Sequence, residues 1–325
     1  MPVLSPLALP ELTRMLKDNP EAGVLAGGTD VLARGGGGGI AGRVLIDLSG
    51  VVELRGIAVV SDAVVVGAME TMTAVSLHPA VAGAASALAD AASLVGSWQI
   101  RNRATLGGNL ANASPAADTP PALAALGAAV LTASDEGWRT APAEELAVGP
   151  GRNALLPGEV IVSFSIPAGG ERVSAFVKIG SRSEVTVSRL NLAVSLTLEK
   201  NIVAGARLFM GTLGLAARRC EAAEEALLGR DLGGIAAAGG RISARAAVAP
   251  GAAGVFHADP AFLELAGSLS RALAGVAGAA IPGRHTLAYK QSAAGALAQD
   301  ALALILLRLA GRGDAGRGGG RGGGD

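Results

Sequence analysis

The chain has 325 residues, of which half are apolar and 17% charged, so it can bury a sizeable core and is long enough for two or three domains. Its 27 basic and 27 acidic residues cancel, which leaves no global field to attract nucleic acid or an anionic membrane. Cys220 is the single cysteine, which excludes an internal disulfide and any iron–sulfur cluster held by this chain alone. We expect a globular protein that recognises its partners locally.

Neither the start of the chain nor its most apolar stretch is typical of secretion or membrane insertion. The first residues, MPVLSPLALPELTRMLKD, lack the basic and apolar regions of a signal peptide. The stretch ALALILLRLAG, which begins at Ala301, is shorter than the about 20 apolar residues that a spanning helix needs. The sequence therefore predicts no membrane span and a cytoplasmic location.

Helices and strands alternate in the first third of the chain. Residues 10–18 have the spacing of a short helix, and GVLAGGTD (23–30) predicts a strand followed by a glycine turn. RVLIDLSG predicts a further strand, and the runs IAVV and AVVVGA flank Ser61 and Asp62 as a hairpin. Residues 79–95 are alanine-rich and predict one helix.

The remainder of the chain predicts strands first and helices afterwards. Asp118, Thr119 and two prolines are a strong helix start, with Asp118 or Thr119 as the cap. The runs AVLTA, GWRTA and VIVSFSIP predict strands up to Pro167, and SAFVKIG, LNLAVSLTLE and IVAGARLFMG predict three more, followed by helices. The last residues, 311–325, are rich in glycine and arginine and predict a disordered tail without a nucleic-acid role.

Glycine turns are the candidate phosphate sites. Gly37, Gly39 and Gly42 match G-x-G-x-x-G, but a strand follows instead of a helix, so we interpret this run as a flexible connection. Neither a phosphate-binding G-x-x-x-x-G-K-[ST] loop nor a G-x-S-x-G nucleophile turn is present. The turns AGGTD (26–30) and TLGGN (105–109) are either two tight turns or the two grips on a dinucleotide's phosphates.

Four longer segments resemble a known family. These segments are VLAGGTDVL, QIRNRATLGGNLANASPAADTPPAL, GEVIVSFSIP and AFVKIGSRSEVTVSRLNLAVSL. Their sequences and their order resemble those of the FAD-binding subunit of the molybdenum hydroxylases. That family includes xanthine dehydrogenase and aerobic carbon monoxide dehydrogenase. The resemblance implies an α+β fold that begins with an FAD-binding domain of the vanillyl-alcohol-oxidase or PCMH type. This domain consists of two α+β subdomains, residues 1–55 and 56–170. A C-terminal α+β domain, in which a sheet packs with helices, follows at 171–310, and the tail is 311–325.

The resemblance also assigns residues to FAD. It places the first pyrophosphate loop at Val24, Leu25, Ala26, Gly27, Gly28, Thr29, Asp30 and Val31, and the second at Thr105, Gly107, Gly108 and Asn109. We expect glycine at 107 and 108 because a Cβ there would intrude on the pyrophosphate. Val95 and Ile161 lie on either side of the adenine or are ordinary core residues. Asp118 contacts FAD or caps a helix, and Lys178 approaches the flavin or is a solvated strand-end lysine.

Other polar and aromatic residues carry weaker expectations. Arg101 and Arg103 face the phosphates or an iron–sulfur partner, or are plain surface residues. Trp98 and Trp138 are expected to be packing residues rather than residues that stack on the flavin. The loop with Arg182, Glu184 and Ser188 shapes the open side of the flavin or forms a domain contact. His78, His257 and His285 lack ligand spacing, so no metal site is expected, and no catalytic residue is assigned.

The function that the resemblance implies is electron transfer. Electrons from a molybdopterin site on a large subunit pass through two 2Fe-2S clusters on a small subunit to FAD on this chain, and then to an acceptor such as NAD. The resemblance also implies that the three subunits form a dimer of heterotrimers. Two alternatives stay open: a stand-alone flavin oxidase or reductase, and a non-catalytic assembly subunit that has lost FAD.

Overall fold

The computed structural model describes residues 2–35, 43–182, 185–239 and 259–318. The chain begins with a parallel three-stranded sheet in the order β1-β3-β2. Its elements are β1 (Val3–Leu4), α1 (Leu9–Asp18), β2 (Gly23–Leu25), α2 (Val31–Gly35) and β3 (Leu45–Asp47). Helix α1 starts with a proline in its first turn and buries Leu12 and Leu16 against Ile46 of the central strand.

The second sheet has five antiparallel strands in the order β4-β5-β10-β6-β7. Its strands and the small hairpin beside it are β4 (Ile57–Val60), β5 (Ala63–Gly67), β6 (Ala129–Ser134), β7 (Gly137–Pro142), β8 (Ala147–Gly149), β9 (Arg152–Asn153) and β10 (Val160–Pro167). The helices of this region are α3 (Met72–Leu77), α4 (Pro79–Ala84), α5 (Ser86–Ser93), α6 (Trp98–Arg101), α7 (Leu106–Ala111), α8 (Thr119–Leu126) and α9 (Ala143–Leu146). Two short 3-10 helices, Leu48–Gly50 and Val52–Leu54, connect the first sheet to the second.

The third sheet is antiparallel, with the order β11-β12-β13-β14, and both of its faces are covered. Its elements are β11 (Glu171–Ile179), β12 (Leu190–Glu199), β13 (Ile202–Gly211), β14 (Arg218–Arg219), α10 (Glu221–Leu227), α11 (Gly233–Gly239), α12 (Pro260–Ala280) and α13 (Leu287–Gly318). Alternate residues point to opposite faces, so Leu192 and Leu208 pack against α12 and α13 while Phe176, Ala193 and Phe209 join the core around α5 and α8. The sheet thereby joins the C-terminal helices to the five-stranded part.

Two expectations about helices are wrong. Residues 79–95 form two helices, because Ala85 leaves the helical conformation (φ −130°, ψ 46°) and the hydroxyl of Ser86 donates to the carbonyl of Ser174 on β11 at 2.7 Å. Helix α13 continues to Gly318 and so passes the expected start of the tail at residue 311. Residues 319–325 lie outside the described part of the chain, as does the glycine run with Gly37, Gly39 and Gly42.

Helix α13 is also longer than the apolar stretch that the sequence suggested. Its segment Leu287–Arg312 is long and apolar enough to cross a membrane, but 67% of its most apolar window is buried inside the protein. It packs against α12 and the third sheet through residues such as Leu297, Leu302 and Ile305. A mostly buried core helix passes the same length test as a spanning helix, so the segment is weak evidence for a membrane span.

Candidate cofactor site

The two glycine turns of the sequence touch each other. Strand β2 ends at Leu25, and Gly27 then lies so close to the second loop that a Cβ on it would be 2.0 Å from the carbonyl oxygen of Arg103 and 3.0 Å from the Cα of Ala104. The next residue, Gly28, has φ +76°, a conformation that side chains rarely adopt. Gly27 thus permits the contact between the loops, and Gly28 permits the turn.

The second loop is held by hydrogen bonds within the protein. Thr105 caps helix α7, since its Oγ1 accepts from the N–H of Gly108 at 3.2 Å. The N–H of Leu106 donates to the backbone carbonyl of Glu70 at 3.0 Å, and the N–H of Gly107 donates to the backbone carbonyl of Ala68 at 2.8 Å. The first N–H groups of α7 therefore have partners inside the protein.

Packing within the protein is one reason for glycine at 107 and 108, and the expected contact with a pyrophosphate stays a prediction. A Cβ on Gly107 would lie 2.7 Å from the Cβ of Ala68, and a Cβ on Gly108 would lie 2.8 Å from the Oγ1 of Thr105 and 3.4 Å from the Cβ of Ala26. Their nearest neighbours are atoms of the protein, so close packing explains the missing side chains without reference to a ligand.

A cavity of about 380 Å³ opens between the two loops and strand β10, within the size range of ligand pockets. It brings together most of the predicted residues: Val24, Ala26, Gly27, Gly28, Thr29, Asp30, Val31, Thr105, Gly107, Gly108, Asn109 and Ile161. Leu25, Val95, Asp118 and Lys178 are not among the lining residues.

Apart from Ile161, the residues of the third wall of the cavity are not predicted from the sequence. This wall, which we call the closing segment, consists of residues 151–161 and contributes Gly151, Asn153, Leu155, Glu159 and Val160. It is fixed to the end of α7, because the N–H of Gly151 donates to Ala113 at 3.1 Å and the Nδ2 of Asn153 donates to Ala111 at 2.7 Å. Gly151 and Asn153 precede the segment GEVIVSFSIP, and nothing in their local pattern indicates contact with α7.

The polar residues that line the cavity are neutral donors and acceptors together with the carboxyl groups of Asp30 and Glu159. No lysine or arginine lines it among the described residues. Within the same part of the chain, no hydrogen bond is donated by the backbone N–H groups of Gly27, Gly28 or Thr29. A run of successive N–H groups at a glycine turn is a known anion-binding arrangement. The first loop can therefore bind a phosphate through neutral donors.

Glu159 is held ionised at the edge of this cavity. Its carboxylate accepts from Nε and Nη2 of Arg139, at 2.7 and 2.6 Å, and also from Thr132 and the N–H of Leu156. The Arg139 guanidinium is the main cause that lowers the pKa of Glu159 from its ordinary value to about 2. Since these bonds occupy both carboxylate oxygens, Glu159 anchors the closing segment.

A second polar group, the α8 clamp, lies beside the cavity and consists of Asp118, Lys178, Ser188 and Asn191. Lys178 Nζ is 2.7 Å from Asp118 Oδ2, and both side chains are only 7% exposed. Asp118 Oδ1 accepts from Ser188 Oγ at 2.5 Å and from Asn191 Nδ2 at 3.1 Å. Asp118 is the N-cap residue of α8, as the helix-cap alternative predicts, but its side chain makes no capping hydrogen bond. The ion pair instead ties the start of α8 to the third sheet.

Lys178 is fully engaged within the protein. Besides Asp118, its ammonium donates to the carbonyl oxygens of Leu94 at 2.7 Å and Thr186 at 3.2 Å. The solvated alternative for this lysine is therefore wrong. Its contact with a flavin stays a prediction.

The arginines and tryptophans have other surroundings than expected. Arg101 donates to the carbonyls of Val95 and Gly96 and lies 5.7 Å from the ring centroid of Trp98. Trp98 and Trp138 are 56% and 62% exposed, so neither is the well-packed residue that the sequence predicts. Arg103 is exposed, and its carbonyl faces Gly27.

The structure describes part of the remaining loop and two of the three histidines, His78 and His285. Arg182 donates to the carbonyl of Val185, and Ser188 belongs to the α8 clamp. Glu184 and His257 lie outside the described residues. In the ranges that the structure describes, no three His, Cys, Asp or Glu side chains are grouped as metal ligands.

A parallel sheet, a five-stranded antiparallel sheet and a glycine-lined cavity between them define a nucleotide-cofactor domain of the FAD-binding PCMH type. Residues 1–169 match the family described as the FAD-binding domain in molybdopterin dehydrogenase. The xanthine dehydrogenase FAD-binding subunit of Escherichia coli O157:H7 is 32% identical over 67% of this chain and 75% of its own length. The nicotinate dehydrogenase FAD subunit of Eubacterium barkeri is 32% identical over 68% of this chain and 76% of its own.

The solved structures agree with the sequence relatives. A chain of carbon monoxide dehydrogenase from Hydrogenophaga pseudoflava superimposes with a TM-score of 0.78 at 26% identity, covering 95% of this chain and 98% of that one. The chain belongs to the family of FAD-binding subunits of molybdenum hydroxylases. It is an oxidoreductase subunit, and its cofactor is FAD.

The residues present fit this cofactor. FAD carries a pyrophosphate, which the unpartnered N–H groups of Gly27, Gly28 and Thr29 can bind without a cation. It also carries apolar ring surfaces, and the cavity offers side chains such as Leu155, Val160 and Ile161 for them.

Proposed function

We propose that this chain transfers electrons between the iron–sulfur clusters of a partner subunit and an external acceptor such as NAD, with FAD bound in the cavity between the two glycine loops. The single observation that carries the proposal is the meeting of both predicted loops at one cavity with unpartnered N–H donors. Bound FAD would supply the redox chemistry, while the protein supplies its position and its electrostatic surroundings.

The residues divide the binding task. The first loop, Val24 to Val31 including Leu25, holds the pyrophosphate through its backbone, and Thr105, Gly107, Gly108 and Asn109 approach it from the opposite side. Ile161 packs against the adenine, as the family resemblance implies. Asp118 and Lys178 lie outside the lining, and we propose that they border the flavin end and fix the domain contact there. Val95 also lies outside the lining, and its place beside the adenine stays a prediction.

The partners follow from the names of the relatives. Relatives are FAD-binding subunits or medium chains, which are parts of larger enzymes. We therefore propose a molybdopterin-binding large subunit and a 2Fe-2S small subunit as partners, in a dimer of heterotrimers located in the cytoplasm. The clusters must be on another chain, because Cys220 is the single cysteine here and is buried.

The first experiment measures FAD binding by the isolated full chain. Apoprotein is titrated with FAD while the quenching of flavin fluorescence is followed, with Asn109→Asp as the test variant and Trp138→Ala as a control away from the cavity. We expect Asn109→Asp to weaken binding at least tenfold, since a carboxylate would face the pyrophosphate, and the control to bind like the wild type. A wild-type chain that does not bind FAD would contradict the proposal.

The second experiment tests the electron path. The chain is purified together with its molybdopterin and iron–sulfur subunits, the clusters are reduced anaerobically, and bleaching of the flavin absorbance is followed after mixing. Reoxidation on addition of NAD would identify the acceptor. A chain that turns over a substrate without partners would indicate a stand-alone flavin enzyme, and a colourless chain in an active complex would indicate an assembly subunit.

A further inference from the structure

Thr119 is a buried residue outside the cavity whose hydroxyl is directed at a cavity side chain. It is the first residue of α8 and is 0% exposed. Its Oγ1 donates a hydrogen bond of 2.6 Å to the Oδ1 of Asn109, which lines the cavity. Neither the glycine motifs nor the family resemblance assigns it a role.

The hydroxyl of Thr119 is fully buried, and among the described residues its acceptor is Asn109 Oδ1, so satisfying this donor turns the amide oxygen of Asn109 toward Thr119. An asparagine carries one acceptor oxygen and an NH2 group with two donors. With the oxygen turned to Thr119, the NH2 group is left for other partners, and among the described residues it donates to none. The opposite orientation would turn the amide oxygen toward the phosphate site, where two acceptors repel each other.

The orientation matters because the second loop offers few other donors. The N–H groups of Leu106, Gly107 and Gly108 already donate within the protein. In the described part of the chain, no lysine or arginine lines the cavity. Within the second loop, the Asn109 side chain is thus an available donor for an anion, and Asn112 at the end of α7 also lines the cavity.

We propose that Thr119 is a positioning residue for FAD: it orients Asn109 so that the amide NH2 group donates to the pyrophosphate. The inference rests on the proposed function and adds a determinant of its affinity. Thr119 can hold a fixed position because the preceding Asp118 is bound by Lys178, Ser188 and Asn191, while Pro120 restrains the chain after it. The Thr119 hydroxyl thereby connects the α8 clamp to Asn109, which lines the cavity.

The test is a double-mutant cycle on the full chain, with FAD affinity as the readout. Thr119→Val keeps the shape but removes the hydroxyl, and we expect about a tenfold loss of FAD affinity, the effect of losing one hydrogen bond to a charged group. Thr119→Ser keeps the hydroxyl and should remain within about threefold of the wild type. In the Asn109→Ala background, Thr119→Val should cause no further loss, which a merely structural role would not produce.

The outcomes separate this inference from the proposed function. If Thr119→Val binds FAD as tightly as the wild type, the role of Thr119 is overturned while FAD binding stands. The same holds if Thr119→Val lowers FAD affinity by the same factor in the wild-type and the Asn109→Ala backgrounds. A wild-type chain that fails to bind FAD would overturn both. Urea unfolding of each apoprotein checks the fold, and Thr119→Ala provides the same test if the valine variant does not fold.

Discussion

Gly27 is the residue at which the two cofactor loops touch, and alanine there would force them apart. The added Cβ would lie 2.0 Å from a backbone oxygen, which cannot move as a flexible side chain can. We expect Gly27→Ala to lower the free energy of unfolding by about 1–3 kcal/mol and FAD affinity at least tenfold. Thermal melts of the apoprotein and fluorescence titration measure the two effects.

Gly83 provides the matched control for this substitution. It lies in α4 with no heavy atom within 4 Å of an added Cβ. Gly83→Ala should therefore be neutral or stabilise the protein by up to about 1 kcal/mol through helix propensity. An unchanged melting temperature for Gly27→Ala would show that the loops are not packed as described.

Glu159 makes the closing segment sensitive to acid. In the folded protein the pKa of Glu159 falls from its ordinary value of 4.5 to about 2, mainly because of Arg139. The ionised carboxylate therefore stabilises the folded protein fully above pH 4.5, and this stabilisation is lost as the pH falls toward 2. The side chain is 4% exposed, and the shift corresponds to about 3 kcal/mol at neutral pH. Glu159→Gln should lose most of this stabilising free energy at pH 7 and little of it at pH 2. Urea unfolding of the variant and the wild type across that pH range measures the difference.

At the scale of elements, the α8 clamp holds a helix to a sheet through a buried ion pair. Lys178→Met would leave the Asp118 carboxylate buried without its cation, and we expect a loss of about 3–5 kcal/mol in urea unfolding. The double variant Asp118→Asn with Lys178→Met should lose less than the single one, because no uncompensated charge remains. Lys17→Met is the control, since its pair with Asp135 is exposed and should contribute less than about 1 kcal/mol.

If both lysine variants lost the same stability, the Asp118 and Lys178 pair would not be buried as described. A double variant that is less stable than Lys178→Met would equally contradict the account, since it would assign the loss to packing rather than to charge.

The elements themselves were largely predictable from local patterns. Alternating apolar residues in VIVSFSIP and LNLAVSLTLE match strands β10 and β12, and the hairpin around Ser61 follows from its two flanking runs. The break at Ala85 was not predictable, because it depends on a hydrogen bond to Ser174, which is distant along the chain. Local propensity cannot encode such contacts.

The site shows the same division. Both glycine loops could be found from the sequence, since Gly-Gly pairs next to small polar residues have few other uses. The closing segment and Thr119 could not, because their roles arise from contacts with α7 that bring together residues about 40 and 10 positions apart. Exposed Trp98 was missed since an aromatic side chain is ordinarily buried.

For the whole molecule, Arg308 connects the last helix to the five-stranded part. Its guanidinium binds both carboxylate oxygens of Asp90 at 2.9 and 2.7 Å, and Asp90 also accepts from the N–H of Phe176. We expect Arg308→Met to lower the free energy of unfolding by about 1–3 kcal/mol and to speed cleavage of α13 in limited proteolysis. FAD affinity should not change, since neither residue lines the cavity.

Arg312 is the control for this connection. It lies on the same helix, is exposed, and donates to the carbonyl of Arg172. Arg312→Met should leave both stability and proteolysis close to the wild type. A helix α13 that is cleaved equally fast in both variants would mean that Arg308 does not fix it to the rest of the protein.

The contact at Gly27 has a consequence for the order of assembly. Since backbone atoms of the two loops meet there, folding rather than the ligand sets the distance between them. FAD then enters a site whose two glycine loops are already in contact, so we expect its association in stopped flow to be a single phase whose rate rises linearly with FAD concentration. The chain can accordingly complete its fold first and receive its cofactor later.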